Sequence, residues 1–167
     1  MYETLRVDRE DHLTWLTLNR PDALNALDPV MVRELRQLLW NLPEDHQTRV
    51  LVMRGAGRAF CAGLDLKAHA SSPSVGGGVP AGLRVSRVVP DDELEAAARA
   101  MAQDMLRNAP LALRLTKECY RHALDAGSLE AVIAMEDRNQ VLAAGTADFR
   151  EGVAAFLQKR PARFEDA

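Results

Sequence analysis

A chain of 167 residues, 47% hydrophobic and 27% charged, has the size and balance of one soluble globular domain. Its formal charge of −3, with acidic and basic residues interleaved and no run of Lys and Arg, argues against a nucleic-acid binder. It contains no stretch of about 18 apolar residues to form a membrane span, and its opening, MYETLRVDRED, has no apolar run of secretory type, so a cytoplasmic location is expected.

Residues Thr4 to Asn19 read as two strands, ETLRVDRE and HLTWLTLN, joined by a polar turn around Arg9 to Asp11. The helix expected next starts at Asp28 as N-cap, with Pro29 in the first helical position. Met31, Leu35, Leu38 and Leu39 recur at helical spacing until Leu42-Pro43 stops it. RVLVMRG, from Arg49 to Gly55, has the short apolar run of a buried strand and leads into the glycine-punctuated turn GAGRAFCAG. The order so far is β-β-α-β.

ASSPSVGGGVPAG, between Ala70 and Gly82, contains little that builds a core and reads as a flexible loop. A short strand, LRVSRVV, is expected after it. A long helix then starts at Pro90-Asp91, with Leu94, Ala97, Ala98, Met101, Ala102, Met105 and Leu106 on one face. Three more helices are expected over Pro110 to Ala126, Ser128 to Ala144 and Ala147 to Lys159, so the second half is almost all helical. An α/β front followed by a helical back is consistent with an α+β or layered α/β domain.

Cys61 and Cys119 are far apart and lack metal-ligand spacing, so buried free thiols are expected. The four histidines, His12, His46, His69 and His122, are scattered without i, i+4 pairing or suitable acidic partners, which leaves them surface or packing roles and predicts no metal site.

Four stretches together resemble the crotonase (enoyl-CoA hydratase/isomerase) superfamily: LTLNRPDALNAL at 16–27, VLVMRGAGRAFCAGLDL at 50–66, SRVVPDDEL at 86–94 and AFLQKRPARF at 155–164. They occur in family order. The resemblance implies an α/β, crotonase-like (ClpP/crotonase) ββα spiral core over 1–85, incomplete, followed by a C-terminal helical region for oligomerisation over 86–167. A strand ending in a glycine turn and a short helix start presents backbone N–H groups toward one point, which suits an oxyanion. In the family this turn supplies one of two N–H donors to an acyl-CoA thioester carbonyl. By position in the motif, that donor is the N–H of Leu64, with Gly63 keeping the approach open.

The same resemblance assigns Ala62, Leu64, Asp65 and Leu66 to the adenine and pantetheine pocket, and Ala23 and Leu24 to the loop on the other side of the coenzyme. Phe156 and Lys159 match positions that reach the adenine and a CoA phosphate, often from a neighbouring subunit. Residue chemistry alone offers blander readings: an ordinary turn in NRPDALNAL with Asn25 bonding backbone, a core aromatic, and a solvated lysine on an amphipathic helix.

Family members run to about 250 residues or more, and the deficit falls at the Val85-Ser86 junction, which implies an internal deletion of roughly 90–100 residues. The second oxyanion loop and the catalytic side chains belong to that interval. Gly76, Gly77 and Gly78 do not replace the loop, lacking a strand before and an apolar helix after. Glu93 and Glu95 do not replace a catalytic acid, since both read as solvated charges at a helix N-terminus.

The expected function is therefore that of an enoyl-CoA hydratase/isomerase family member acting on acyl-CoA thioesters through a stabilised enolate, and impaired as the chain stands. CoA enters as part of the substrate, without a covalently bound cofactor. A homo-oligomer (trimer or dimer of trimers) or a mixed oligomer with a full-length relative is expected, with no nucleic acid or membrane partner. The alternative is a non-catalytic CoA-binding or hetero-oligomerising interaction protein; a third reading is an incomplete piece of a longer working enzyme.

Overall fold

The computed structural model describes residues 2–65, 67–68, 87–124 and 126–167. The expected loop over 70–82, residues 83–86 of the expected strand LRVSRVV, Leu66, His69 and the 85/86 junction lie outside the described residues; the rest of that segment, Arg87, Val88 and Val89, is not a strand, with Val88 almost fully exposed and no neighbouring strand to pair with among the described residues. The chain divides into two compact units, Met1–Arg99 and Ala100–Ala167.

The first unit is built on three strands in the order β1-β2-β3. β1 (Leu5–Glu10) and β2 (Leu13–Leu18) form the antiparallel hairpin, closed by a tight turn in which Asp11 takes the left-handed conformation at φ 49°. β3 (Val50–Gly55) pairs in parallel with β2, Leu13 opposite Val50 and Leu18 opposite Gly55. A parallel neighbour needs a crossover, and α1 (Pro29–Asn41) supplies it.

Every residue of β2 is buried, as befits a central strand covered on both faces. On one face Leu16 and Leu18 join Leu5 of β1 and Met31 and Leu38 of α1 in the core of the unit. On the other, the Trp15 ring carries the guanidinium groups of Arg54 and Arg99 at 4.9 and 5.1 Å from its centroid. Glu10 and Glu95 pair with Arg99, and Glu95 also pairs with Arg54.

The start of α1 follows the sequence. Asp28 accepts a 2.7 Å hydrogen bond from the Met31 N–H, and Pro29 occupies the first turn, where its missing N–H costs nothing. The helix ends in a 3-10 turn at Leu42–Glu44, where Pro43 blocks continuation. Its partner in holding β1 is Glu34, whose buried carboxylate accepts from the N–H groups of Glu3 and Thr4 and from the Thr4 hydroxyl at 2.6–2.9 Å. Of the apolar face expected for α1, Leu39 is largely exposed, as is the neighbouring Trp40.

α2 (Leu94–Leu106) begins in the first unit after a 3-10 turn at Asp91–Glu93 and continues into the second. The second unit also holds α3 (Pro110–Ala123), α4 (Leu129–Ala144) and α5 (Ala147–Gln158). Ser128 and Thr146 cap α4 and α5 by accepting from Ala131 and Phe149 N–H groups.

The segment after α5 is tied back by charge. Asp148, buried near the start of α5, accepts from the N–H groups of Glu165 and Asp166 at 2.8 and 3.0 Å. Arg114 grips Asp166 through two hydrogen bonds, and Arg160 grips Glu151 in the same bidentate way. The paired Arg160 and the Arg163 N–H hold the Glu151 carboxyl down to about 2.

Among the described residues no helix is long and apolar enough to cross a membrane, and no group of His, Cys, Asp and Glu has the arrangement to hold a metal ion. Cys61 and Cys119 are free thiols, as expected, but half-buried rather than buried. His12, His46 and His122 are exposed.

Candidate active-site turn

Two motif stretches meet at the C-terminal end of β3. In the first, residues 20–28 leave β2 through a 3-10 turn at Pro21–Ala23, and Leu24 and Asn25 both take the left-handed conformation, at φ 49° and 56°. Two consecutive non-glycine residues in that region need support from their surroundings. Asn25 provides it, fully buried: its Oδ1 accepts from the Arg20 N–H at 2.9 Å, and its Nδ2 donates to the carbonyls of Ala56 and Ala59 at 2.8 and 2.7 Å.

The backbone-bonding role expected of Asn25 from turn chemistry is thus observed, and it reaches across to the second motif. Gly55 makes the approach possible. A Cβ there would sit 2.2 Å from the Ala59 carbonyl oxygen, 2.5 Å from that of Phe60 and 2.7 Å from Asn25 Nδ2.

The second stretch, residues 62–65, runs alongside the first as a short parallel bridge between Leu27 and Leu64. Ala62 N–H donates to the Leu24 carbonyl at 3.0 Å, Leu27 N–H to Gly63 at 2.8 Å, and Asp65 N–H to Leu27 at 2.9 Å. The Gly63 N–H meets the Cys61 Sγ at 3.4 Å. Because Leu27 bonds to the residues on either side of Leu64, the Leu64 N–H is turned away from the 20–28 loop. It has no partner among the described residues. Gly63, at φ +93°, has open space where a side chain would project.

Charge holds the bridge in place. Arg20 donates to the Ala26 carbonyl at 2.6 Å and to Asp65 Oδ2 at 3.0 Å, and its Nε lies 3.3 Å from Asp28 Oδ2. The Ala68 N–H and the Arg20 guanidinium hold the Asp65 carboxyl below the ordinary aspartate range. Asp65, expected to line a coenzyme pocket, therefore has its carboxylate committed to Arg20 and Ala68.

The expected residues of the first unit fall close together: Ala23 and Leu24 at the end of the 3-10 turn, the Leu24 carbonyl accepting from Ala62 N–H, and Ala62, Leu64 and Asp65 on the segment bridged to Leu27, with Leu66 outside the described residues. Phe156 and Lys159 belong to the second unit. Phe156 is almost fully exposed on α5, and Lys159 ends that helix in the left-handed conformation at φ 53°. Sequence reasoning missed Arg20 and Asp28 as parts of this arrangement, although Arg20 lies within the quoted motif and Asp28 directly follows it. Their charge opposite to each other was the available signal, but the meeting with Asp65 spans 45 positions.

Comparison with known proteins gives the same picture. Enoyl-CoA hydratase/isomerase family models match residues 13–80 and 80–167. The chain is 41% identical over 68 residues to a hydroxycinnamoyl-CoA hydratase-lyase of Pseudomonas fluorescens, a match covering 41% of this chain and 25% of that protein. In that and the next two such matches the chain spans about a quarter of the length of the curated relatives.

A longer alignment, 24% identical, joins it to the probable enoyl-CoA hydratase echA8 of Mycobacterium tuberculosis across 98% of each. That alignment extends over 253 positions, more than the 167 residues of this chain, so it carries a long gap on this side. Among solved structures, the enoyl-CoA hydratase of Bacillus anthracis superposes with a TM-score of 0.87 at 22% identity, covering 99% of this chain and 100% of that one. An enoyl-CoA hydratase/isomerase of Mycobacterium paratuberculosis superposes at 0.86 with 23% identity and full coverage of both chains. The fold is the crotonase fold, and the chain belongs to the enoyl-CoA hydratase/isomerase family.

Proposed function

We propose that this protein binds acyl-CoA thioesters and offers the Leu64 N–H as the first oxyanion donor to the thioester carbonyl. One observation carries the reading. Of the four N–H groups in 62–65, that of Leu64 alone lacks a partner among the described residues, and it projects beside an open glycine. An oriented donor that needs no reorganisation stabilises developing negative charge most effectively, and one such donor is worth about 3 kcal/mol in the transition state.

Ala23, Leu24, Ala62, Asp65 and Leu66 flank the CoA moiety in this reading, through backbone shape more than side-chain chemistry. Phe156 and Lys159 are assigned to the adenine and a phosphate, in the same or a neighbouring subunit. The chemistry is addition of water to, or proton shuttling on, a 2-enoyl thioester through an enolate, as in fatty acid metabolism. The gap in the long alignment supports an internal deletion, which this reading places at Val85-Ser86 together with the missing second donor and acid/base groups. Binding without efficient turnover follows. Titration calorimetry with crotonyl-CoA is expected to give saturable binding, while a hydratase assay on the same sample gives little or no rate. Normal turnover would overturn the impairment, and absence of any binding would overturn the acyl-CoA reading.

A second reading, a non-catalytic protein that assembles with copies of itself or with a full-length relative, is favoured by α5. Phe149, Val153, Phe156 and Leu157 of that helix are 49%, 45%, 83% and 74% exposed, an apolar surface of the kind that marks interfaces. Sedimentation over a range of concentrations, alone and mixed with a complete relative, discriminates the two: a monomer throughout would count against assembly.

A further inference from the structure

Resting on the Leu64 reading, we infer that Arg20 is a positioning residue for the oxyanion donor, acting with Asp65 and Asp28 as a clamp that fixes the direction of the Leu64 N–H. The bridge that orients Leu64 is short. It consists of the Leu27 N–H to Gly63 and Asp65 N–H to Leu27 hydrogen bonds, with Ala62 N–H to Leu24 just before them. Its central residue but one is Gly63, at φ +93°, the most permissive point in the segment. Three backbone bonds next to a glycine leave the peptide plane between Gly63 and Leu64 free to rock, unless side chains hold both ends.

Arg20 holds them. One guanidinium reaches the Ala26 carbonyl on the near strand, the Asp28 carboxylate at the start of α1, and the Asp65 carboxylate one residue beyond Leu64. Its side chain is 23% exposed and those of both carboxylates 15%, so the charges are largely shielded from competing water. Arg20 is itself fixed, since its N–H donates to Asn25 and its carbonyl accepts from Asn25. The planar fork lets one side chain satisfy three acceptors at set angles, which a lysine ammonium on a flexible stem does not reproduce. A shift of about 1 Å in a positioned group costs on the order of a hundredfold in rate, so small losses of aim matter. Arg20, committed to Ala26, Asp28 and Asp65, acts through Leu64.

The test reads carbonyl polarisation rather than turnover. Crotonyl-CoA labelled with carbon-13 at the thioester carbonyl is bound to the full chain, and the carbonyl resonance is compared with that of free ligand. In the unaltered protein the bound signal moves downfield, as a hydrogen-bonded carbonyl does. In Arg20→Ala that displacement is expected to fall by more than about half while affinity stays within about tenfold, because positioning is lost and the remaining contacts are kept. Arg20→Lys is expected not to restore it.

Asp65→Asn, which keeps the size and one acceptor oxygen, serves should Arg20→Ala fail to fold; a reduced displacement is expected there also. A folded Arg20→Ala or Asp65→Asn with undiminished displacement overturns the clamp while leaving the Leu64 donor intact. Absence of displacement in the unaltered protein overturns the donor reading itself, and the clamp with it.

Discussion

Asn25 offers the sharpest check on how the two motif stretches are joined. Replacing it with alanine strips the Arg20 N–H and the Ala56 and Ala59 carbonyls of partners inside a fully buried site. At about 1 kcal/mol for each net hydrogen bond, plus roughly 1 kcal/mol for alanine in the left-handed conformation at φ 56°, the loss is about 4 kcal/mol. That is between roughly a quarter and four-fifths of the 5–15 kcal/mol margin typical of a domain. Asn25→Gly loses the same bonds but not the backbone term, so it is expected about 1 kcal/mol more stable than Asn25→Ala.

Asn25→Asp has a different signature. The introduced carboxylate keeps the acceptor toward Arg20 but turns a second oxygen toward two carbonyl oxygens, so its folded pKa is raised above the unfolded value of about 4. A group raised in this way has its stability present below the unfolded pKa and loses it as pH rises through the folded one. The gap to the unaltered protein, at matched pH, therefore widens from about pH 4 to neutrality. Urea titrations followed by Trp15 fluorescence, in a Trp40→Phe background because Trp40 is exposed, read all three variants. Asn25→Ala within 0.5 kcal/mol of the parent, or an Asn25→Asp gap that does not change with pH, would refute the reasoning.

Gly55→Ala is expected to be worse than any change at Asn25, because its Cβ would collide at 2.2–2.7 Å with backbone oxygens and Asn25 Nδ2; a loss of more than about 4 kcal/mol should show as a urea midpoint below that of Asn25→Ala, or as absence of a cooperative unfolding transition. At Glu34, burial opposes ionisation, but hydrogen bonds from Glu3 and Thr4 outweigh it and lower the pKa. Glu34→Gln should cost about 2 kcal/mol at pH 7, and since the stability of a lowered carboxyl is lost as pH falls through its folded pKa, urea midpoints of the two proteins should converge below about pH 4. Arg160→Ala should let the Glu151 carboxyl climb from about 2 toward 4.5 in a carbon-13 NMR titration; a value still near 2 would assign the lowering to the Arg163 N–H instead.

What the sequence makes legible here is what local chemistry decides. The hairpin follows from two apolar, strand-forming runs joined by a polar turn, the start of α1 from Asp28-Pro29, and the starts of α4 and α5 from Ser128 and Thr146, each cap within one turn of the atoms it bonds. The parallel pairing of β2 with β3 is less legible, because register depends on how α1 packs across the sheet and no residue in either strand encodes its opposite number. Least legible are the long-range polar ties: Glu34 to Glu3 and Thr4, and Arg20 to Asp65, join positions 30 to 45 apart whose charges look like ordinary surface charges in sequence. The motif singles out Leu64 as a candidate, by position alone. Its freedom from a partner is a property of the Leu27 bridge, which only the fold supplies.

The second unit, Ala100–Ala167, leaves much of its apolar surface uncovered. Its buried apolar residues are small, chiefly Ala102 and Ala155, whereas Leu124, Leu129, Val141, Phe156 and Leu157 remain at least 70% exposed. At about 25 cal/mol per Å2, a few hundred Å2 of such surface left in water forfeits stabilisation comparable with a whole domain margin. The ties that replace it are ionic and lie at the surface: Arg114 with Asp166, Glu151 with Arg160, Arg138 with Glu118. Exposed pairs of this kind contribute about 0–1 kcal/mol each and are screened by salt. The first two set the path of the chain after α5 and the third ties α4 to α3, without making up that burial. Phe149, Val153, Phe156 and Leu157 lie exposed along α5 and line one groove with Phe164, so covering that surface would add the apolar burial that the ionic ties do not supply.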